Sequence, residues 1–139
     1  MKSVVIVPTY NELDNVDALL TELLALPVDL SVIVVDDNSP DGTGDLLRGI
    51  AELTERVRVI HRPGKSGLGT AYMDGMTFAL ADGADYVVQN DVSTLGDDAG
   101  HRFVIHARDG EDRQHCTGRR ALADALAALL ESKDRGCHA

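Results

Sequence analysis

The sequence is short of several residue types and patterns, and each shortage excludes a class of protein. No apolar run approaches the roughly 18–20 residues of a membrane span, and no signal-peptide pattern precedes the first predicted strand. The chain has only 13 lysines and arginines but 23 aspartates and glutamates. This excess of negative charge argues against nucleic acid as the main partner. The two cysteines are expected to be free thiols. We therefore expect a cytoplasmic protein that contacts a membrane only peripherally, at its cytoplasmic face.

Three familiar site motifs are also missing. The histidines and cysteines near the C-terminus form no Cys-x-x-Cys or His-x-x-x-His pair, so their spacing suits no standard zinc site. A Walker A loop ending in Gly64-Lys65-Ser66 needs glycine at position 59, which is Val59. A dinucleotide fingerprint starting at Gly67 needs glycine or alanine at position 72, which is Tyr72. The glycine-rich loop therefore belongs to neither class.

What is present is the pattern of a single α/β domain. At 139 residues with 44% apolar content, the chain is long enough to bury a core. Short apolar runs predict strands at Val4–Val7, Leu30–Val35, Val57–Ile60 and Tyr86–Val88. Helical spacing of apolar residues predicts helices between them, through Leu13–Leu24, Leu46–Leu53 and Tyr72–Leu80. This alternation predicts a mainly parallel sheet with right-handed crossovers.

The last third of the chain has a different character. Residues 1–98 carry a net charge of −11 (6 basic, 17 acidic), whereas residues 99–139 carry +1 (7 basic, 6 acidic). Phe103–Ala107 is a candidate strand, His106–Thr117 is polar and is expected to be irregular, and Ala121–Leu130 predicts a helix. We expect one α/β region over 1–98. The tail over 99–139 either shares that domain or is loosely attached.

Four loops follow the predicted strands and should meet at one edge of the sheet. In the first loop, Pro8 ends the strand because it cannot continue a central ladder. Tyr10 offers a flat face for a base, and Glu12 can accept hydrogen bonds from a base or ribose. The alternative is plain helix capping by Asn11, with Tyr10 as a packing residue.

The second and third loops carry opposite charges. Asp36 and Asp37 end a buried strand and point to opposite faces, so one can reach a ligand while the other fixes the loop. Arg62 and Lys65 precede a helix in a glycine-rich loop and can meet a phosphate or the acidic loops. The alternatives are a tight acidic turn and a solvated glycine-rich turn. In the fourth loop, Asp91 can hold a divalent cation, for which oxygen ligands are typical.

Taken together, these segments resemble the N-terminal half of glycosyltransferase family 2. The nearest likeness is to the dolichol-phosphate (polyprenol-phosphate) mannosyltransferases. It covers roughly the first 90 residues in order and spacing. The segments that carry it are Val7-Pro8-Thr9-Tyr10-Asn11-Glu12, Val35-Asp36-Asp37-Asn38-Ser39-Pro40-Asp41-Gly42-Thr43-Gly44, His61-Arg62-Pro63-Gly64-Lys65-Ser66-Gly67-Leu68-Gly69-Thr70-Ala71-Tyr72 and Tyr86-Val87-Val88.

The resemblance implies a GT-A fold, a Rossmann-like, three-layer nucleotide-binding half with a truncated or divergent C-terminal part. The α/β region over 1–98 is thereby implied to bind a nucleotide-sugar. It implies transfer of a sugar, mannose in the nearest family members, from a nucleotide-sugar such as GDP-mannose to a polyprenyl phosphate. The implied nucleotide-binding residues are Pro8, Tyr10, Glu12, Val35, Asp37 and Lys65. Asp91 is implied as the catalytic and metal-binding residue, at the first position of the Asp-x-Asp motif that holds Mg²⁺ or Mn²⁺.

The resemblance weakens beyond the fourth strand. Asp91-Val92-Ser93 replaces the second metal aspartate with Ser93, whose hydroxyl is a weaker Mg²⁺ or Mn²⁺ ligand, so the implied metal site is incomplete. We therefore hypothesise that residues from about 91 onward are a frameshifted or divergent tail. Two alternative functions stay open: a catalytically impaired nucleotide-binding remnant, and a structural α/β domain that forms homo-oligomers through the Ala- and Leu-rich helix.

Overall fold

A computed structural model of the protein describes residues 2–9, 13, 16–63, 68–91, 102–108 and 113–136. Strands and helices alternate along the first two thirds of the chain, as the apolar spacing predicts. In chain order the elements are β1 (Ser3–Thr9), α1 (Val16–Leu24), β2 (Leu30–Asp36), α2 (Thr43–Leu53), β3 (Val57–His61), α3 (Leu68–Ala81), β4 (Tyr86–Asp91), β5 (Arg102–Ala107), β6 (Arg113–Thr117) and α4 (Arg119–Gly136).

The strands form one six-stranded sheet with the order β3-β2-β1-β4-β5-β6. The first four strands are mutually parallel, and β5 and β6 are added antiparallel beyond β4. The predicted mainly parallel sheet is therefore confirmed. Because the first four strands are parallel, the C-terminal ends of β1, β2, β3 and β4 lie along the same side of the sheet.

Helices cover both faces of the sheet, which gives three layers. One core lies under α1, α2 and α4, and the other lies under α3. The largest wholly buried side chains of the first core include Leu19, Leu20, Leu23, Leu47, Phe103, Ile105, Leu122 and Leu126. The second core is built around Val4, Ile6, Ile33, Val35, Ala71 and Val87. Residues from the last third of the chain thus share a core with the first two thirds.

Two boundary predictions in the first loop region were wrong. Strand β1 continues through Pro8, which lies opposite Val35 in β2. The pairing of β1 with β4 runs only from Ser3 to Ile6, so Pro8 lies beyond it and its missing N–H costs no bond on that side. Leu13 lies in a turn before α1, with 39% of its surface exposed, instead of on the buried helix face.

The last third of the chain is more regular than its composition predicts. The stretch expected to be irregular contains β6, in which Cys116 is buried and the four other residues are exposed. Burial raises the pKa of the Cys116 thiol. The predicted C-terminal helix is confirmed, and it is longer, from Arg119 to Gly136. Within the described parts of the chain, no helix has the length and apolar content to cross a membrane.

Gly75 is the point at which α3 approaches the sheet most tightly among the described glycines. A Cβ atom at this position would lie 2.5 Å from Cγ2 of Ile6 and 3.3 Å from Cγ2 of Val35. We expect Gly75→Ala to lower the free energy of unfolding by about 1–3 kcal/mol, because the helix must move away from the strands.

Gly49 in α2 is the matched control for this substitution, since nothing lies within 4 Å of a Cβ built there. Gly49→Ala should raise the free energy of unfolding by about 0.5–1 kcal/mol, the usual helix preference for alanine over glycine. Urea denaturation measures both variants. Equal effects of the two substitutions would contradict the close approach of α3.

We propose that β5, β6 and α4 fold as one unit with the parallel strands, because Leu122 of α4 is wholly buried in the core of those strands. Leu122→Ala should lower the free energy of unfolding by about 2–5 kcal/mol. Amide hydrogen exchange should then be faster in β1 as well as in α4. Ala128→Gly, at an exposed position of α4, is the control. Faster exchange confined to α4 would show a loosely attached tail.

Candidate functional site

Asp36 fixes the loop that follows β2. Its carboxylate is 1% exposed and accepts a hydrogen bond of 2.9 Å from the Thr9 hydroxyl at the end of β1. It also accepts bonds from the backbone N–H (3.2 Å) and the hydroxyl (2.6 Å) of Ser39. The ends of the neighbouring strands β1 and β2 are thereby joined through one carboxylate. This is the loop-fixing role that the sequence assigned to one member of the acidic pair.

Asp37 forms a two-point ion pair with Arg62, which follows β3. The Arg62 Nε donates to Oδ1 at 2.5 Å, and Nη2 donates to Oδ2 at 2.9 Å. The two side chains are only 8% and 9% exposed. A parallel, forked pair of this kind fixes both side chains in one plane. The predicted contact between Arg62 and the acidic loops is confirmed, and the alternative of a solvated turn does not hold for Arg62.

The remaining edge of the Arg62 guanidinium faces α3. Its Nη1 donates to the Thr70 hydroxyl and to Oδ2 of Asp74, each at 3.0 Å. The pKa of Arg62 is raised above its usual range, chiefly by the hydrogen bonds to Asp37 and, against the opposing effect of burial, by the hydrogen bond to Asp74. Arg62 therefore joins the ends of β2 and β3 to the first turns of α3.

Asp41 joins the first and second loops. Its carboxylate accepts a hydrogen bond of 3.2 Å from the backbone N–H of Leu13, and the Thr43 N–H and hydroxyl also donate to it. The Thr43 hydroxyl contributes most to holding the pKa of Asp41 below 3.8. Gly42, between them, adopts φ 94°, a conformation that glycine accepts at little cost. The turn-forming residues predicted from the sequence thus shape the loop around its carboxylates.

The structure places the predicted nucleotide-binding residues in three settings. Pro8 is partly buried at the end of β1, and the side chain of Val35 is wholly buried beneath α3. Asp37 lies at the strand ends in its ion pair with Arg62. The predicted residues Tyr10, Glu12 and Lys65 lie outside the described residues. A ligand contact by Val35 would therefore involve its backbone rather than its side chain.

Asp91, predicted to be catalytic and to bind metal, is the last residue of β4 and lies opposite Arg102 in β5. Ser93 lies outside the described residues. Among the described residues, no group of three or more histidine, cysteine, aspartate or glutamate side chains could hold a metal ion. A single carboxylate does not make a complete Mg²⁺ or Mn²⁺ site, so Asp91 would need further ligands to hold such a cation.

Sequence reasoning missed Thr70 and Asp74. Both lie on the face of α3 that contacts Arg62, four residues apart, as neighbours on a helix surface do. The available signal was an acidic residue one helical turn after a hydroxyl residue, in the helix that follows a basic loop.

A polar cavity of about 300 Å³ adjoins the hydrogen-bonded network of Asp36, Asp37 and Arg62. Its lining includes Asp36, Ser39, His61 and Arg62.

Comparison with known proteins gives the same family as the loop motifs. The family model described as "Glycosyl transferase family 2" matches residues 4–92. The undecaprenyl-phosphate mannosyltransferase of Micrococcus luteus is 42% identical over 91 residues, which are 66% of this chain and 37% of that protein. The polyprenol monophosphomannose synthase of Mycolicibacterium smegmatis is 40% identical over 91 residues, 65% of this chain and 34% of that protein. The chain thus spans about a third of the length of these relatives.

Solved structures share the fold. The mannosyltransferase PcManGT from Pyrobaculum calidifontis, in complex with GDP-Man and Mn²⁺, is 29% identical with a TM-score of 0.52, over 62% of this chain and 26% of that one. Residues 1–349 of S. aureus TarS in complex with UDP-GlcNAc match 94% of this chain and 32% of that one, with a TM-score of 0.64 at 24% identity. The latter likeness concerns the fold alone and confirms the predicted GT-A architecture.

The family match extends over well more than half of the chain, and it contains Asp36, Asp37, Arg62 and the helix that contacts them. The strand-end carboxylates, the order of the strands and the sequence likeness to two polyprenol-phosphate mannosyltransferases therefore agree. The chain belongs to glycosyltransferase family 2.

Proposed function

We propose that this chain forms the donor-binding half of a sugar transferase, which takes mannose from GDP-mannose and transfers it to a polyprenyl phosphate. One observation carries the proposal: the forked Asp37–Arg62 pair stands at the ends of β2 and β3, inside the segment that is 42% identical to an undecaprenyl-phosphate mannosyltransferase. Ligands of open α/β sheets bind at this edge, where strand ends converge. Asp37 presents its carboxylate there as an acceptor for a base or ribose.

In the proposed reaction, an oxygen of the lipid phosphate attacks the anomeric carbon of the donor sugar. The bond from that carbon to the diphosphate oxygen breaks, and the nucleoside diphosphate leaves with the electron pair. The attacking oxygen is already anionic, so the reaction does not require a strong general base. The described residues would then serve to bind and orient the nucleotide, which is consistent with strand-end carboxylates that are fixed by hydrogen bonds.

Asp91 would be one ligand of a divalent cation, Mg²⁺ or Mn²⁺, and such a cation would supply positive charge to neutralise the leaving diphosphate. PcManGT in complex with GDP-Man and Mn²⁺ supports this idea by likeness. The run Asp91-Val92-Ser93 favours a second candidate function, a remnant that binds the nucleotide but does not turn over, because Ser93 is a weaker metal ligand. The proposed transferase would also contact, transiently, the membrane that carries the lipid acceptor.

Titration calorimetry of GDP into the protein, with and without Mn²⁺, tests the proposal. We expect GDP to bind in Mn²⁺ with a Kd between about 1 μM and 1 mM, the common range for enzyme substrates. Asp91→Asn should weaken binding in Mn²⁺ about tenfold or more, because it removes the carboxylate ligand, and should leave metal-free binding unchanged.

Asp82→Asn is the matched control, since Asp82 pairs with Lys2 at the opposite edge of the sheet. This variant should bind GDP like the unmodified protein. Binding together with mannosyl transfer to a polyprenyl phosphate supports the transferase, and binding without transfer supports the remnant. If the folded protein binds no GDP under either condition, the proposed function is wrong.

A further inference from the structure

The Arg62 guanidinium is held along both of its edges. One edge, formed by Nε and Nη2, bonds to the two oxygens of Asp37. The other nitrogen, Nη1, bonds at 3.0 Å to both Thr70 and Asp74 of α3. Because a guanidinium is planar and rigid, fixing Nη1 also fixes the direction in which the opposite edge points. The orientation of Asp37 therefore depends on contacts made by α3.

The two carboxylates differ in their exposure to solvent. The side chain of Asp37 is 9% exposed, whereas that of Asp74 is 55% exposed. Exposed ion pairs contribute little to stability, since water and salt screen them. Asp74 is therefore poorly placed to stabilise the fold, although its carboxylate lies within bonding distance of a guanidinium that is 8% exposed. This combination suits a role in positioning Arg62 better than a role in folding.

We infer that Asp74 is a positioning residue for the nucleotide site, acting through Arg62 to fix the carboxylate of Asp37. The inference rests on the proposed function, because it assigns Asp37 to the nucleotide. Thr70, four residues before Asp74, bonds to the same nitrogen and supports the same orientation. Asp74 lies farther into α3 than Thr70, away from the helix N-terminus.

The test compares GDP binding by Asp74→Asn, Asp74→Glu and the unmodified protein. We expect Asp74→Asn to weaken GDP binding about two- to fivefold, the effect typical of a partly exposed ion pair. Asp74→Glu keeps the charge and should recover most of that loss. The thermal midpoint should hardly move for either variant. The loss caused by Asp74→Asn should shrink as salt is raised, because the pair is partly exposed.

A double-mutant cycle with Arg62→Lys separates action through Arg62 from a direct effect. Lysine keeps the charge but cannot bond along two edges at once. If Asp74 acts only through Arg62, then Asp74→Asn will not weaken GDP binding further in the Arg62→Lys background. Additive losses would overturn the inference. Asp82→Asn serves again as the control, because Asp82 follows α3 directly and forms its ion pairs at the opposite edge of the sheet.

A second measurement does not need a nucleotide. Nitrogen-15 NMR of the Arg62 side chain reports how fast the guanidinium rotates, and we expect slow rotation in the unmodified protein and faster rotation in Asp74→Asn. Unchanged rotation would overturn the inference even if GDP does not bind. Absence of GDP binding by the unmodified protein would instead refute the proposed function. Unaltered GDP binding by Asp74→Asn, with normal binding by the unmodified protein, would overturn the inference alone.

Discussion

The buried ion pair between Asp37 and Arg62 is the interaction on which the candidate site depends. Neither side chain is more than 9% exposed, and a buried charge without its partner is strongly unfavourable. The pair therefore forces the loops after β2 and β3 to stay together. Because Arg62 also bonds to Asp74, the same contact attaches α3 to those loops. Three separate segments of the chain are held at one edge of the sheet by a single guanidinium.

The carboxylates beside this pair each fix a different part of the loop region. Asp36 joins the ends of β1 and β2 through Thr9, and Asp41 joins the second loop to Leu13. Such contacts explain why a chain with a net charge of −10 concentrates acidic residues at a strand end. Asp36, Asp37 and Asp41 each accept hydrogen bonds from donors in the loop region, so the loops are held in one arrangement. Preorganisation of this kind is what a nucleotide site requires.

Much of the fold was predictable because its signals are local. The β-branched run before Asp36 and the regular spacing of leucines in α1 indicate buried elements without knowledge of their partners. Strand β6 was not predictable, because an edge strand with one buried residue, Cys116, has almost no apolar pattern. The contact of Asp74 was also missed, since it depends on how α3 packs across the end of β3.

The identity of the site was predictable only in part. The acidic pair and Arg62 could be identified from the sequence because they lie directly at the ends of predicted parallel strands, where ligands of open α/β sheets bind. Which acidic residue fixes the loop and which pairs with Arg62 required side-chain geometry. The assignments of Tyr10, Glu12 and Lys65 to the nucleotide stay predictions, and so does the hypothesis of a frameshifted or divergent tail.

A crystal structure of the protein with GDP and Mn²⁺ is the most decisive test of the proposed site. We expect the base or ribose to lie within about 3 Å of a carboxylate oxygen of Asp37, the usual hydrogen-bond distance. We also expect that Arg62 still bonds to both Asp37 and Asp74 in that complex. GDP bound away from the ends of β1 and β2, or an Arg62 released from Asp37, would contradict the account.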